Sequence, residues 1–189
     1  MRWDEFFADL EHQMSVELRQ VRDAEAADFT RGHWAETSFA DRLRGHRGET
    51  VQMTFADGEH QRLLVSSVGP DWIGGRTQSG AVVIPQRAIA GLEAETRTAR
   101  PPESTLRSGP RLTSVLRQLA RRREPVSITA GWGRIYVEGT VDRVGQDYCE
   151  VAIHARDEFR RRPAVRGLRL IPVDQIQMIA TSAVALDDR

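Results

Sequence analysis

Lysine is absent from this sequence: all 27 basic residues are arginine, and we interpret this as the mark of a GC-rich coding bias. Cysteine is nearly absent. Cys149 is the only one, so the chain can form no internal disulfide and no cysteine-based zinc cluster. A single thiol within a strand-like pattern is typical of core filling. The shortage of cysteine agrees with a reducing compartment. It also excludes the class of small secreted domains that disulfides hold together.

Long apolar runs are also missing, because none reaches eight residues. A transmembrane helix needs about 20 consecutive apolar residues. The first twenty residues contain Asp4, Glu5, Asp9 and Glu11, where a signal peptide has a basic start followed by an apolar stretch. The sequence therefore predicts a cytoplasmic protein with no membrane partner.

The charge is balanced overall but unevenly distributed. The formal net charge of the 189 residues is zero, and hydrophobic residues make up 40%, enough for a packed core. Residues 1–30 carry eight acids against three arginines, whereas residues 107–169 carry fourteen arginines against seven acids. This asymmetry predicts an acidic N-terminal arm and a basic face in the C-terminal half.

A repeated motif organises most of the chain, because Val68-Gly-Pro-Asp-Trp72 returns as Val144-Gly-Gln-Asp-Tyr148. The match extends on both sides of the motif: Val51-Gln-Met-Thr corresponds to Val126-Ser-Ile-Thr, and Ile84-Pro85 corresponds to Ile171-Pro172. The second copy differs by a longer insert between Ile153 and Leu168. A repeat of this length indicates that each copy is a structural unit.

Each copy has the pattern of one short helix followed by five short strands. The helical patterns precede Val51 and Val126, after which the hydrophobic period changes to two, as in Val51, Met53 and Phe55. The motif's glycines, Gly69 and Gly145, are expected at positive φ in tight turns. Closure of five strands into a barrel would remove their exposed edges. The predicted fold class is therefore mainly β with helices (α+β): an N-terminal amphipathic helix, then two repeated five-stranded barrels, each preceded by a short helix.

In this order of elements each copy resembles an Sm-like or SH3-like small barrel, the fold of the Sm proteins and of bacterial Hfq. The resemblance covers residues 38–93 and 112–181. It rests on Gly139-x-Val141, the Gly-x-Asp-aromatic turn and the final Ile-Pro-x-x-x-x-Ile. The RNA-reading loop of that family carries an Asp and an Asn where this chain has Gly145 and Cys149, so the family's nucleotide pocket is not expected here.

An amphipathic helix is predicted over residues 3–28, because apolar residues recur there at steps of three and four. Its apolar stripe has two interpretations. The stripe could pack on the chain's own barrels, or it could form a coiled coil or dock on a protein partner. The candidate partner-binding residues are Trp3, Phe7, Leu10 and Met14.

The predicted boundaries follow from these patterns. The Pro-, Ser- and Gly-containing stretch between the copies is typical of a linker. The predicted segments are a helical arm over residues 1–37, a first barrel over 38–93, a linker over 94–111, a second barrel over 112–182 and a tail over 183–189.

Catalytic and cofactor motifs do not stand out. The histidines, at positions 12, 33, 46, 60 and 154, lack metal-ligand spacing. Gly131-Trp132-Gly133 begins like a dinucleotide-binding motif, but strand-like residues follow it, so we interpret it as a hairpin turn. Asp71 and Asp147 occupy equivalent places in the two copies, which favours a turn role over catalysis. We therefore expect no enzyme activity, no metal and no cofactor.

Two arginine clusters distinguish the second copy and are candidate nucleic-acid-binding residues. The first ends the predicted helix, where cations also suit the helix dipole, and the second lies in the insert, where it could also be a solvated basic loop. Nearby aromatic residues Phe159, Trp132 and Tyr148 could stack on bases, although Tyr148 is better explained as core because Trp72 matches it. The clusters are Arg121, Arg122 and Arg123, and Arg156, Arg160, Arg161, Arg162 and Arg166.

Several functions are consistent with these patterns. The absence of a catalytic motif favours a non-catalytic adaptor or regulatory protein with tandem barrels that binds RNA weakly, in preference to DNA, through its basic second barrel. Its N-terminal helix could bind a protein partner or mediate self-association. One alternative is a purely protein–protein scaffold.

Another alternative is a DNA-binding transcriptional regulator. The opening Met1-Arg-Trp-Asp-Glu-Phe-Phe resembles bacterial proteins whose automated names call them Fis-type regulators. Such a regulator needs a helix-turn-helix, but the residues from Val126 onward read as a strand rather than a recognition helix.

Overall fold

The computed structural model describes residues 34–96, 98–101, 109–154 and 166–181. The predicted helix over residues 3–28, with Trp3, Phe7, Leu10 and Met14, lies outside the described residues, and so does the predicted tail. The chain divides into two compact units, Met1–Ser38 and Phe39–Arg189. Within the first unit, residues 34–36 are helical and the backbone N–H of Thr37 donates to the carbonyl oxygen of Trp34 at 3.3 Å.

The second unit runs twice through the same order of elements. The first half comprises α1 (Phe39–Gly45), β1 (Thr50–Phe55), β2 (His60–Val68), β3 (Trp72–Thr77), β4 (Gly80–Pro85) and β5 (Ile89–Glu93). The second half comprises α2 (Leu112–Arg122), β6 (Pro125–Ala130), β7 (Ile135–Val144), β8 (Tyr148–Ile153), β9 (Gly167–Pro172) and β10 (Ile176–Thr181). A short 3-10 helix precedes the fifth strand in each half, at Gln86–Ala88 and Val173–Gln175.

Hydrophobic spacing explains the elements. In β1 the alternating residues Val51, Met53 and Phe55 are buried, as a strand with one face on the core requires. In α2 the buried residues recur at steps of three and four, which places them on one face of the helix. That face consists of Leu112, Val115, Leu116 and Leu119.

The ten strands form one continuous antiparallel sheet in the order β5-β1-β2-β3-β4-β10-β6-β7-β8-β9. The prediction of two closed five-stranded barrels is therefore wrong. Closure of the first half would require β4 to pair with β5, but β4 pairs instead with β10 of the second half. One side of β4 is thus hydrogen-bonded to β3 of its own half and the other side to β10 of the second half. Strands β5 and β9 remain as the edges of an open sheet.

The two halves share hydrophobic packing at the pairing of β4 with β10, which we call the internal junction. Its register places Ile179 opposite Val83 and Ala180 opposite Val82. Trp72 and Val83, from the first half, belong to the hydrophobic cluster that is otherwise built by the second half. Burial across the junction therefore stabilises both halves together.

The repeated Val-Gly-x-Asp-aromatic motif forms the turn into the third strand of each half. The N–H of Gly69 donates to the carbonyl of Trp72 at 2.9 Å, and the N–H of Gly145 donates to that of Tyr148 at 2.8 Å. The expectation of positive φ at these glycines is wrong, since neither is among the positive-φ residues. An added Cβ would instead lie 2.2 Å from Trp72 Nε1 or 2.3 Å from Tyr148 Cε1. Each glycine therefore leaves room for the aromatic ring of its own motif.

Candidate nucleic-acid interface

The first predicted arginine cluster lies at the C-terminal end of α2. Arg121, Arg122 and Arg123 are all exposed. Arg123 ends the helix in the left-handed conformation, with φ of 52°, and its N–H donates to carbonyl oxygens of the last helical turn. The exposed Arg122 lies 3.6 Å from the half-buried Glu124, a long ion pair at the surface that contributes little. The positive charges of this cluster suit the negative end of the helix dipole. None of the three arginines lines either of the two clefts near the β6–β7 turn.

Of the second predicted cluster, only Arg166 falls within the described residues; Arg156, Arg160, Arg161 and Arg162 lie outside them. Arg166 is exposed, and its N–H donates to the carbonyl of Ile153 at 2.9 Å, which holds it at the start of β9. It lines an open cleft of about 330 Å³ that we call the arginine cleft. The cleft is lined by Tyr136, Val137, Glu138, Ile153, His154, Arg166 and Arg169.

The β6–β7 turn carries exposed aromatic residues that sequence reasoning did not group together. Trp132 is 64% exposed and Tyr136 is 61% exposed, and Arg134 and Ile135 between them are also exposed. We call residues 131–136 the aromatic hairpin. Tyr136 belongs to the arginine cleft as well, which places its ring near Arg166 and Arg169.

The backbone at the tip of the aromatic hairpin is left-handed at three successive residues. The φ angles of Gly131, Trp132 and Gly133 are 59°, 58° and 77°. Glycine adopts this conformation freely, but a tryptophan there costs about 1 kcal/mol or more. Because most of the Trp132 ring is in solvent, burial of the ring offsets little of that cost. Strain on an exposed aromatic residue is the kind of feature that marks binding sites.

The tip of the hairpin is bonded to the 3-10 helix of the second half and lies beside Asp57 of the first half. Gln177 Nε2 donates to Asp57 Oδ2 at 2.8 Å, and the N–H of Gly131 donates to the carbonyl of Gln175 at 2.9 Å. An added Cβ at Gly133 would lie 2.6 Å from Asp57 Oδ2, so the glycine allows close approach. The hydrogen bond from Gln177 holds the pKa of Asp57 below its ordinary value. The hairpin is therefore positioned by the fold rather than left as a free loop.

A second cleft, of about 240 Å³, opens beside Trp132 and is lined by residues of both 3-10 helices. Arg87 and Asp174 face each other there, with Arg87 Nε donating to the carbonyl of Asp174 at 3.0 Å. The aromatic ring of Trp132 thus has a concave surface on one side and solvent on the other. The remaining lining residues are Ala56, Ala88, Gln175, Ile176 and Gln177.

Charges of both signs surround the aromatic hairpin. Arg134 in the hairpin and Arg166 and Arg169 in the arginine cleft are exposed, while Asp174 lines the cleft beside Trp132. The acidic residue that lines the arginine cleft, Glu138, accepts a 2.8 Å hydrogen bond from the hydroxyl of Tyr136. The arginines beside Tyr136 can attract phosphate groups while leaving the face of its ring open for stacking.

The residues considered for catalysis have structural contacts. Thr140 Oγ1 and His154 Nε2 lie 2.7 Å apart in a buried hydrogen bond. The carbonyls of Asp71 and Asp147 accept hydrogen bonds from the N–H groups of Gln86 and Val173, at 2.9 and 2.7 Å, an equivalent turn in both halves. Across the described ranges, no group of three or more His, Cys, Asp or Glu side chains could hold a metal ion.

Comparison of the chain with models of protein families, with curated proteins and with solved structures finds no match. The resemblance to Sm-like barrels therefore stays a prediction. Within the part of the chain that the structure describes, no helix is long and apolar enough to span a membrane.

Proposed function

We propose that this protein is a cytosolic, non-catalytic binding protein that holds single-stranded RNA at the aromatic hairpin of its second half. The observation that carries the proposal is the exposed, conformationally strained Trp132, with Tyr136 four residues on and Arg134 between them. A folding role does not require an aromatic ring at either position, because both rings lie mostly in solvent.

Binding would combine two general interactions. The faces of Trp132 and Tyr136 offer platforms for unpaired bases, and base–aromatic stacking is worth about 1–3 kcal/mol per base. Arg134 and Arg166 would contact phosphates, which releases counterions and makes the affinity depend on salt. Neither interaction reads base edges, so we expect binding that tolerates many sequences.

Single strands fit this surface better than duplex DNA. A helix-turn-helix reader inserts a recognition helix into the major groove. Here α2 is followed by strand β6, so the helix pair that the DNA-binding alternative needed is not formed at residues 112–130. Exposed rings on a hairpin can stack only on bases that are free of a duplex.

The test is a titration of the full chain with a fluorescently labelled single-stranded RNA, followed by anisotropy at several salt concentrations. We expect Trp132→Ala and Tyr136→Ala each to weaken binding by roughly 5- to 100-fold, from the loss of one stacking platform. Arg134→Ala and Arg166→Ala should each make the log–log salt dependence shallower by about 0.7.

Arg76→Ala is the matched control, because Arg76 is an exposed strand arginine in β3 of the first half. It should change neither the affinity nor the salt dependence by more than the error of the measurement. Two results would overturn the proposal: no binding at tens of micromolar protein in low salt, where even non-specific contacts are measurable, or equal losses from Arg76→Ala and Arg134→Ala. Tighter binding to duplex DNA of the same length would favour the DNA-binding alternative instead.

A further inference from the structure

The cleft beside Trp132, which we call the tryptophan cleft, is built by equivalent segments of the two halves. Its lining includes the turn between the first two strands of each half, at Ala56 and Trp132, and the 3-10 helix of each half, at Arg87 and Asp174. Counted from the Ile-Pro pair before each 3-10 helix, Arg87 and Asp174 occupy the same position of the repeat. The fold therefore brings a cation and an anion from equivalent positions into one cleft.

The charged groups of Arg87 and Asp174 are left for a ligand. Arg87 Nε donates to the backbone carbonyl of Asp174 at 3.0 Å, which ties the two 3-10 helices together. Among the residues that the structure describes, no hydrogen bond or ion pair engages the Asp174 carboxylate or the terminal nitrogens of Arg87. The cleft therefore presents a carboxylate, which only accepts hydrogen bonds, and a guanidinium, which only donates them.

The tryptophan cleft has the size and lining for a single nucleobase. Its volume of about 240 Å³ is below the roughly 300–1,000 Å³ of sites that enclose drug-sized ligands. Ala56 and Ala88 in its lining are small, which leaves room for a flat ring beside the exposed indole of Trp132. The turn that carries the indole is fixed to the same cleft, because the N–H of Gly131 donates to the carbonyl of Gln175.

Guanine matches the two charged groups better than the other bases do. Its Watson–Crick edge presents two adjacent donors, the N1–H and the N2 amine, beside the acceptor O6. The two donors suit a carboxylate, and O6 suits a guanidinium. Adenine, cytosine and uracil each have one donor group on this edge, so each would leave one oxygen of the carboxylate without a partner. A phosphate group is disfavoured at the same place, because the charge of Asp174 would repel it.

We propose that the tryptophan cleft binds one guanine base, which stacks on Trp132, donates from N1 and N2 to the Asp174 carboxylate and accepts at O6 from Arg87. This inference rests on the proposed function, because the base belongs to the RNA strand held at the aromatic hairpin. The other nucleotides are held through stacking and phosphate contacts alone. The preference for guanine therefore concerns one position of the strand.

Anisotropy titrations of the full chain with oligouridines of equal length test the proposal. One RNA carries a central guanosine and the other a central adenosine. The guanosine RNA should bind about 5- to 20-fold more tightly, which is the lower part of the discrimination that a bidentate contact to a base provides. Inosine lacks the N2 amine, so an RNA with a central inosine should bind about 2- to 10-fold more weakly than the guanosine RNA.

Asp174→Asn tests the carboxylate with little change in side-chain size. It replaces one acceptor oxygen by an amide donor, so the guanosine RNA should lose its advantage over the adenosine RNA. Glu93→Gln makes the same change in charge at an exposed position of β5 that lines neither cleft, and it should keep the preference. Because the readout is a ratio of two affinities on one protein, partial unfolding of a variant lowers both affinities and leaves the ratio unaltered.

The outcomes separate this inference from the proposed function. Equal affinities for the guanosine and adenosine RNAs would overturn the guanine site and leave RNA binding in place. The guanine site would also be overturned if the inosine RNA bound as tightly as the guanosine RNA, or if the preference persisted in Asp174→Asn. Failure of every RNA to bind at tens of micromolar protein in low salt would overturn both proposals.

Discussion

The carboxylate of Asp71 accepts a 2.8 Å hydrogen bond from the backbone N–H of Leu112, the first residue of α2. The first turn of a helix has N–H groups without partners inside the helix, and the N-cap residue here, Arg111, provides no side-chain cap. A residue of the first half therefore caps the helix of the second. The adjacent Trp72 strengthens the connection, since its Nε1 donates to the carbonyl of Pro110 at 2.7 Å.

Replacing Asp71 by alanine should lower the free energy of unfolding by about 1–2 kcal/mol, because it leaves a helix N–H without its partner. Asp147 occupies the equivalent place in the second half and is exposed. Asp147→Ala is therefore the control and should change the stability by less than about 0.5 kcal/mol. Urea denaturation of both variants measures the difference, and equal effects would show that the cap contributes nothing.

Trp72 should be one of the most costly residues to truncate. It is 4% exposed, packs in the cluster of the second half and donates a hydrogen bond to Pro110. We expect Trp72→Ala to lower the free energy of unfolding by about 3–5 kcal/mol, through lost burial and the cavity left behind. Tyr148→Ala should cost clearly less, because Tyr148 is only half-buried. Equal losses in thermal or chemical denaturation would contradict the unequal packing of the two rings.

The thiol of Cys149 should be unreactive in the folded protein. Burial raises the pKa of Cys149 from its ordinary value of 9.0 to about 11. At pH 8 we expect slow labelling by a thiol reagent in buffer and fast labelling in denaturant. The folded-state pKa is the higher one, so the stability from the neutral thiol is fully present below pH 9.0 and is lost as the pH rises toward 11.

Cys149→Ala isolates this contribution from that of other groups that titrate in the same range. The unaltered chain should lose up to roughly 2–3 kcal/mol more than the variant between neutral pH and pH 11, as expected for two pKa units. Parallel stability curves for the two proteins would show that the thiol is not held in a desolvated site.

The local elements follow from the sequence more readily than their assembly does. Period-two alternation at Val51, Met53 and Phe55 predicts β1, and a three-and-four spacing predicts α2. The partner of β4 is set by long-range pairing between halves, and no local pattern distinguishes pairing with β5 from pairing with β10. A closed barrel would require each half to pair its own edge strands, whereas the internal junction pairs one edge strand of each half with the other.

The candidate site, too, can be predicted from the sequence only in part, because the exposure of its residues depends on tertiary packing. Arginine clusters can be seen in the sequence, but Arg121, Arg122 and Arg123 lie at a helix end and line neither cleft. Trp132 was noted near the insert and its turn was expected from the flanking glycines, yet its exposure depends on how β6 and β7 pack. The sequence feature that points to Trp132 is its place between two glycines. A large side chain at such a turn gains little stability from burial.

Photochemical cross-linking is the most direct test of whether Trp132 and Tyr136 hold single-stranded RNA. The full chain would be irradiated with a single-stranded RNA that contains 4-thiouridine, and the cross-linked peptides would be sequenced by mass spectrometry. We predict cross-links within residues 131–136, greatly reduced by Trp132→Ala combined with Tyr136→Ala. Cross-links confined to other segments, or an unchanged yield from the double variant, would contradict RNA binding at the aromatic hairpin.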